Sequence, residues 1–179
     1  MCGLVAIFDT RGRRPVDPAL LQAMTDSLSH RGPDDDGFFQ DAGVGLGHRR
    51  LSIIDLASGH QPLFNEDRSV AVVYNGEIYN FGELMAELRD RGHSFRTRCD
   101  TEVIAHAWEE WGARCVEKFR GMFAFALYDA KAQQLFLARD RLGIKPLYYA
   151  ELPDGRMLVA SELKALLVCP DLPRELDPQ

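Results

Sequence analysis

Cys2 stands directly behind the initiator methionine. Removal of Met1 would leave a thiol and a free α-amine on one residue. A thiolate is a strong nucleophile, but an ordinary cysteine has a pKa near about 8.5 and needs a base or positive charge beside it. An α-amine, with a pKa of about 7.7–8.0, exchanges protons near neutral pH, so one residue would carry both nucleophile and base. The competing reading is that Cys2 simply opens a buried strand. A thiolate attacking an amide carbon builds negative charge on oxygen, which calls for donors already in place. Asn75-Gly76 offers a side-chain amide and an uncovered backbone N–H. Asn-Gly is also the commonest hairpin turn, although a helix signal at Asn80 follows it rather than a returning strand. Arg50, in a strand otherwise suited to burial, matches two-pronged binding of a carboxylate. Its alternative is a solvent-facing position, with Arg49 turned the opposite way. Asp100, ahead of Thr101-Glu102-Val103, reads as a helix N-cap or as the partner of a substrate ammonium. An arginine and an aspartate bracketing an amide-cleaving thiol match a free amino acid with an amide side chain.

Short strand-like runs dominate the elements that would hold these groups: 2–8, 37–40, 45–54, 70–74, 122–128, 134–138, 147–150 and 157–160. They are rich in Val, Ile, Phe, Leu and Tyr and bounded by turn residues. Asp17-Pro18 opens a first helix, acid at the N-cap and proline at the first helical position. Asn80 with Glu83 starts a second, which Gly92 stops. A third covers about 101–111 and ends at Gly112, and a short one covers 162–168. Helices grouped between sets of strands, without strict alternation, argue for antiparallel sheets covered by helices. Pro170, Pro173 and Pro178 give the last ten residues the character of a linker.

Composition narrows the function classes. The 179 residues are 46% hydrophobic and 27% charged, with a net charge of −6. These values suit one soluble globular domain and argue against disorder, collagen or coiled coil. An acidic chain is poorly suited to the phosphate backbone of nucleic acids. No apolar run approaches the ~18 residues of a membrane span, and no secretory leader is apparent. The four cysteines, Cys2, Cys99, Cys115 and Cys169, have neither C-x-x-C nor zinc-ligand spacing, so reduced thiols and no metal are expected. Gly43, Gly45 and Gly47 do not form G-x-G-x-x-G, and Asp34-Asp35-Asp36-Gly37 lacks the acid spacing of a calcium loop. G-x-S-x-G and the phosphate-cradling G-x-x-x-x-G-K are both absent from the sequence.

The chain resembles the class II glutamine amidotransferases, of the N-terminal-nucleophile hydrolase type, and particularly the N-terminal half of asparagine synthetases. The resemblance rests on ordered segments. They include Met1-Cys2-Gly3, His30-Arg31-Gly32-Pro33-Asp34, His48-Arg49-Arg50-Leu51-Ser52-Ile53-Ile54, Gln61-Pro62-Leu63 and Tyr74-Asn75-Gly76-Glu77-Ile78-Tyr79-Asn80. Further along come Asp100-Thr101-Glu102, Gly121-Met122-Phe123, Arg139-Asp140-Arg141-Leu142-Gly143-Ile144-Lys145-Pro146 and Ser161-Glu162-Leu163-Lys164. The wording around 48–56 and 174–179 is most similar to the asparagine-synthetase-like amidotransferases associated with exosortase systems. The resemblance implies an α+β fold, a four-layer αββα sandwich of two antiparallel sheets flanked by helices. It also implies an amidotransferase domain over 1–169 and a linker over 170–179 toward a C-terminal synthetase domain.

By the same resemblance Cys2 is the nucleophile that forms a glutamyl thioester, and Asn75 and Gly76 make the oxyanion hole. Arg50 holds the α-carboxylate of L-glutamine and Asp100 its α-amine, while backbone groups at Ile53 and Ile54, with Glu77, complete the pocket. Arg31 and Asp34 brace loops, and Lys145 supports the face where ammonia leaves. No cofactor is expected for this domain; ATP and Mg belong to the synthetase domain, whose Ser-Gly-Gly loop is not in this sequence. The expected partners are L-glutamine and the synthetase domain, with a homodimer left open and neither nucleic acid nor membrane. The expected setting is cytoplasmic. The alternative from another class is a catalytically silent glutamine-binding or scaffold domain. A cysteine peptidase ranks last, because none of the five histidines gains a catalytic role from the sequence.

Overall fold

Alternation along the strands decides the layering, because successive side chains of a strand face opposite ways. In β1 (Gly3–Asp9), Leu4 and Ala6 share a buried cluster with Val44, Leu46, Ala71 and Val73, whereas Val5 and Ile7 join Leu21, Met24 and Leu28 in another. The first cluster therefore lies between two sheets and the second beneath a helical layer. A third cluster packs Val70, Val72 and Tyr74 against Leu84, Leu88, Val103 and Trp108.

The computed structural model describes residues 1–12, 14–51 and 59–174. After β1 come α1 (Pro18–Asp26), β2 (Asp35–Asp41), β3 (Val44–Arg50), β4 (Leu63–Phe64), β5 (Val70–Ile78), α2 (Phe81–Asp90), α3 (Asp100–Trp111) and α4 (Cys115–Lys118). The chain continues through β6 (Gly121–Asp129), β7 (Gln134–Arg139), β8 (Tyr148–Glu151), β9 (Arg156–Ala160) and α5 (Leu163–Leu166). One sheet has the order β2-β3-β1-β9-β8 and the other β4-β5-β6-β7, with antiparallel pairing throughout. Helices α1 and α5 cover the first sheet, and α2 and α3 cover the second. The result is the expected α+β sandwich of four layers. Among the described residues, no helix is long and apolar enough to cross a membrane.

Local signals fare unevenly. Asp17 caps α1 as its sequence suggests, accepting from Ala19 N at 2.9 Å. Asn80 precedes α2 but does not cap it. Its amide donates to Lys118 O at 3.0 Å and its carbonyl accepts from Arg120 N at 2.9 Å, tying the helix start to the start of β6. The N-cap of α3 is Cys99, and Asp100 is the first helical residue. Beyond the last helix, Leu172 packs against the core and Asp171 pairs with Arg156.

Asn75-Gly76 is not a turn, because β5 runs straight through it. Asn75 pairs with Ala124 and Gly76 with Phe123 of β6. A Cβ at Gly76 would press on Met122 O and come within 2.7 Å of Phe123 Cα, both backbone atoms of the neighbouring strand. Gly76→Ala should therefore destabilise the fold by about 3 kcal/mol, the upper end of overpacking costs. A fall in the urea midpoint at constant m-value checks this.

A buried histidine joins the two sheets. His48 Nε2–H of β3 donates to Tyr74 O of β5 at 3.0 Å. Burial, helped by the nearby Arg50 charge and opposed by the bond to Tyr74, pushes the imidazole down to about 4 from 6.5. The unfolded chain thus binds a proton that the folded chain refuses. This contribution is complete above pH 6.5 and is lost as pH falls toward about 4. The wild type should lose up to about 3 kcal/mol relative to His48→Gln across that window, read from urea unfolding at several pH values.

Candidate active site

Strand register assembles the chemistry. In the β1–β3 ladder Gly3 faces Arg49 and Leu4 faces His48, so the next rung sets Cys2 opposite Arg50. Parity turns Cys2 and Arg50 into the space between the sheets, in line with Leu4, Leu46 and His48. Asn75 enters that space from the other sheet, in line with Ala71 and Val73. The inter-sheet core therefore ends in polar groups. A pocket of about 200 Å³ opens there, lined by Cys2, Arg50, Asn75, Gly76, Glu77 and Asp100.

Cys2 is half-buried, while Cys99, Cys115 and Cys169 are buried. Leu51 N donates to Cys2 Sγ at 3.4 Å. Arg31 Nε donates to Cys2 O at 2.9 Å, and its Nη1 pairs with Glu162 at 2.8 Å. Arg31 is a brace, as expected, but what it braces is the nucleophile's own carbonyl. Gly32 lets its loop lie against β3, since a Cβ there would strike the Arg49–Arg50 peptide.

Asn75 is 2% exposed, and its Nδ2 has no hydrogen-bond partner among the described residues. A buried orphan donor is costly, and this one lies in a pocket that a substrate oxygen could enter. Tyr74 N donates to Gln61 Oε1 at 2.7 Å and Ile78 N to Asp100 Oδ2 at 3.0 Å, both on the edge of β5 away from β6. By the same alternation the Gly76 N–H falls on that edge between them.

Asp100 is 3% exposed and uses Oδ2 to accept from the Tyr74 hydroxyl at 2.8 Å as well as from Ile78 N. Burial, followed by the Asp100 charge, raises the Tyr74 phenol well above its usual 10.0, so that hydroxyl remains a donor. The other Asp100 oxygen stands 3.6 Å from Cys99 Sγ. Arg50 is 6% exposed, so a guanidinium and a carboxylate are both buried in one pocket. Glu77 is an exposed member of the lining. The expected Ile53 and Ile54 lie outside the described residues.

Gln61, for which sequence reasoning found no role, donates to Thr101 Oγ1 at 3.4 Å while holding Tyr74 N. Both Gln61 and Lys145 line the pocket. Asp140 accepts from the backbone N–H groups of Leu142, Ile144 and Lys145, fixing the turn that delivers Lys145. Lys145 Nζ is 3.1 Å from the Met1 thioether, and Met1 itself lines the pocket. Only the assembled fold brings these groups beside Cys2.

Residues 1–179 match the family model described as a glutamine amidotransferase domain. The asparagine synthetase (glutamine-hydrolysing) 2 of Bacillus subtilis strain 168 is 45% identical over 179 residues, 99% of this chain and 24% of that protein. The asparagine synthetase (glutamine-hydrolysing) 1 of Arabidopsis thaliana is 42% identical over 166 residues, 93% of this chain and 28% of that protein. The chain thus spans about a quarter of the length of these relatives. Among solved structures, the glutamine phosphoribosylpyrophosphate amidotransferase of B. subtilis, complexed with ADP and GMP, superposes with a TM-score of 0.76 at 23% identity. That alignment covers 93% of this chain and 43% of the other, and shows a shared fold. With the family model matched from end to end, the chain belongs to the glutamine amidotransferase domain family.

Proposed function

We propose that this domain hydrolyses the side-chain amide of L-glutamine and releases ammonia for an ATP-dependent amidation of the asparagine synthase type. The observation that carries the proposal is the unpartnered, buried Asn75 Nδ2 in the same pocket as the half-buried Cys2 thiol. The thiolate attacks the amide carbon, and the oxygen takes up the negative charge opposite Asn75 Nδ2 and Gly76 N–H. Collapse of the adduct breaks the C–N bond, and the nitrogen leaves as ammonia with a proton delivered through the Cys2 α-amine. Water then cleaves the thioester to give glutamate and restore the thiol. Arg50 binds the α-carboxylate and Asp100 the α-ammonium, with Ile53, Ile54 and Glu77 completing the pocket.

Met1 stands where this scheme needs a free amine. Its removal frees the Cys2 nitrogen, vacates part of the pocket and releases Lys145 Nζ from the thioether. In this proposal the acceptor, ATP and Mg belong to a C-terminal synthetase domain; the relatives are named as glutamine-hydrolysing asparagine synthetases. Four unpaired cysteines suit a reducing cytoplasm. The test combines an intact mass with a glutamate assay on the same sample. Protein lacking Met1 should form glutamate from glutamine, and protein retaining it should not. If processed protein binds glutamine but never turns it over, the domain is a binding module and the proposal fails.

A further inference from the structure

Around α3, four side chains from three separate stretches of chain converge. Glu66 comes from the loop between β4 and β5, His93 from the segment after α2, and His106 and Glu109 from α3. One donor atom from each lies within 4.8 Å of all the others. His106 Nδ1 is 3.3 Å from Glu66 and 3.2 Å from Glu109, and His93 Nδ1 is 3.7 Å from each of the same carboxylates. Ligands bonded tetrahedrally to zinc at about 2.0–2.1 Å stand roughly 3.3 Å apart. The observed spacings bracket that value, and imidazole with carboxylate is a donor set that zinc accepts.

The surroundings orient this set. His93 Nε2 faces Glu110 at 3.4 Å, and His106 Nε2 faces Glu102 at 3.7 Å. A carboxylate hydrogen-bonded behind a ligating imidazole, as Glu110 is behind His93, fixes its tautomer and ring plane. Glu109 Oε1 accepts from Asn65 Nδ2 at 2.7 Å and Glu66 Oε1 from Ser94 N at 2.8 Å, so both carboxylates are held in place. His106 is fully buried, with no hydrogen-bond partner for its Nε2 among the described residues. Four carboxylates thus surround two imidazoles, and with Glu110 paired to Arg91 at 2.7 Å three of them remain for a divalent cation to offset.

We propose that Glu66, His93, His106 and Glu109 form a tetrahedral site for a zinc-class divalent cation. Four protein ligands leave no open position, which makes the site structural. It would fasten the loop at Glu66 and the segment at His93 to α3, the helix that begins with Asp100. Sequence spacing hides it, because the ligands span positions 66 to 109 and only His106 and Glu109 share a helix turn.

The test uses the full chain, stripped of metal with chelator, in a Cys2→Ala background so that the accessible thiol supplies no competing ligand. Zinc chloride titrated into this protein should bind at one equivalent and raise the melting temperature. His93→Gln, at a half-buried position, and separately Glu109→Gln should weaken that binding by about 10-fold or more while keeping the circular dichroism of the parent. Absence of one-equivalent binding overturns the proposal, as does binding that stays equally tight in both variants. The cluster would then be a network of carboxylates and imidazoles that needs no metal.

Discussion

Cys2→Ala, in protein freed of Met1, is expected to reduce glutamate release from glutamine by about 10⁴-fold or more while leaving glutamine binding in place. Losses of this size are typical when a covalent nucleophile is removed. No other thiol can substitute. Burial pushes Cys99 up to about 11 and Cys115 up to about 12, and Cys169 is fully buried. All the groups proposed to bind the amino acid lie outside the deleted sulfur, so the thermal shift with glutamine should persist. Release that continued unchanged in the variant would remove Cys2 from the mechanism. A lost thermal shift would instead mean that alanine had disturbed the pocket itself.

Much of this site was legible because it follows strand parity. Positions 2, 50 and 75 sit in apolar alternations whose inward set is visible in the sequence. Once β1 and β3 pair, Cys2 and Arg50 must meet. Asn75-Gly76 was harder, since the same dipeptide favours a hairpin; the pairing of Gly76 with Phe123, some fifty residues away, decides against the turn. Asp100 was open between cap and ligand for a similar reason. Its carboxylate reaches across to Tyr74 and Ile78, a choice set by how α3 docks on β5 rather than by its neighbours in the chain.

What stayed hidden depends on tertiary contacts alone. Arg31 belongs to a loop in sequence, yet its hydrogen bond ends on the nucleophile's own residue. Gln61 holds an edge N–H that a longer β4 would otherwise have satisfied, and two residues of β4 leave no sequence signature. The histidine–glutamate cluster draws on three separated stretches of chain, so spacing rules built on short motifs pass over it.

Substituting Asn75 and Arg50 separately should divide the machinery between turnover and binding. Asn75→Ala removes a donor that has no partner among the described residues, so its stabilisation is available to the oxygen that becomes charged during attack. The expected loss is about 10²–10³ in kcat with KM little changed, the scale of a deleted oxyanion-hole donor. Because the donor is already unsatisfied, its deletion also leaves no native hydrogen bond broken on that nitrogen, and the fold should tolerate it. Arg50→Ala removes a charge that meets the α-carboxylate in ground and transition states alike. That change should raise KM, at a cost of about 2–5 kcal/mol in binding, with kcat less affected. Steady-state constants over a wide glutamine range, with melting temperatures of both variants as a fold check, measure the division. If kcat fell mainly in Arg50→Ala and KM rose mainly in Asn75→Ala, the two ends of the substrate would have been assigned in reverse. Such a result would place the scissile amide beside the guanidinium, leaving Cys2 without an oxyanion donor from β5.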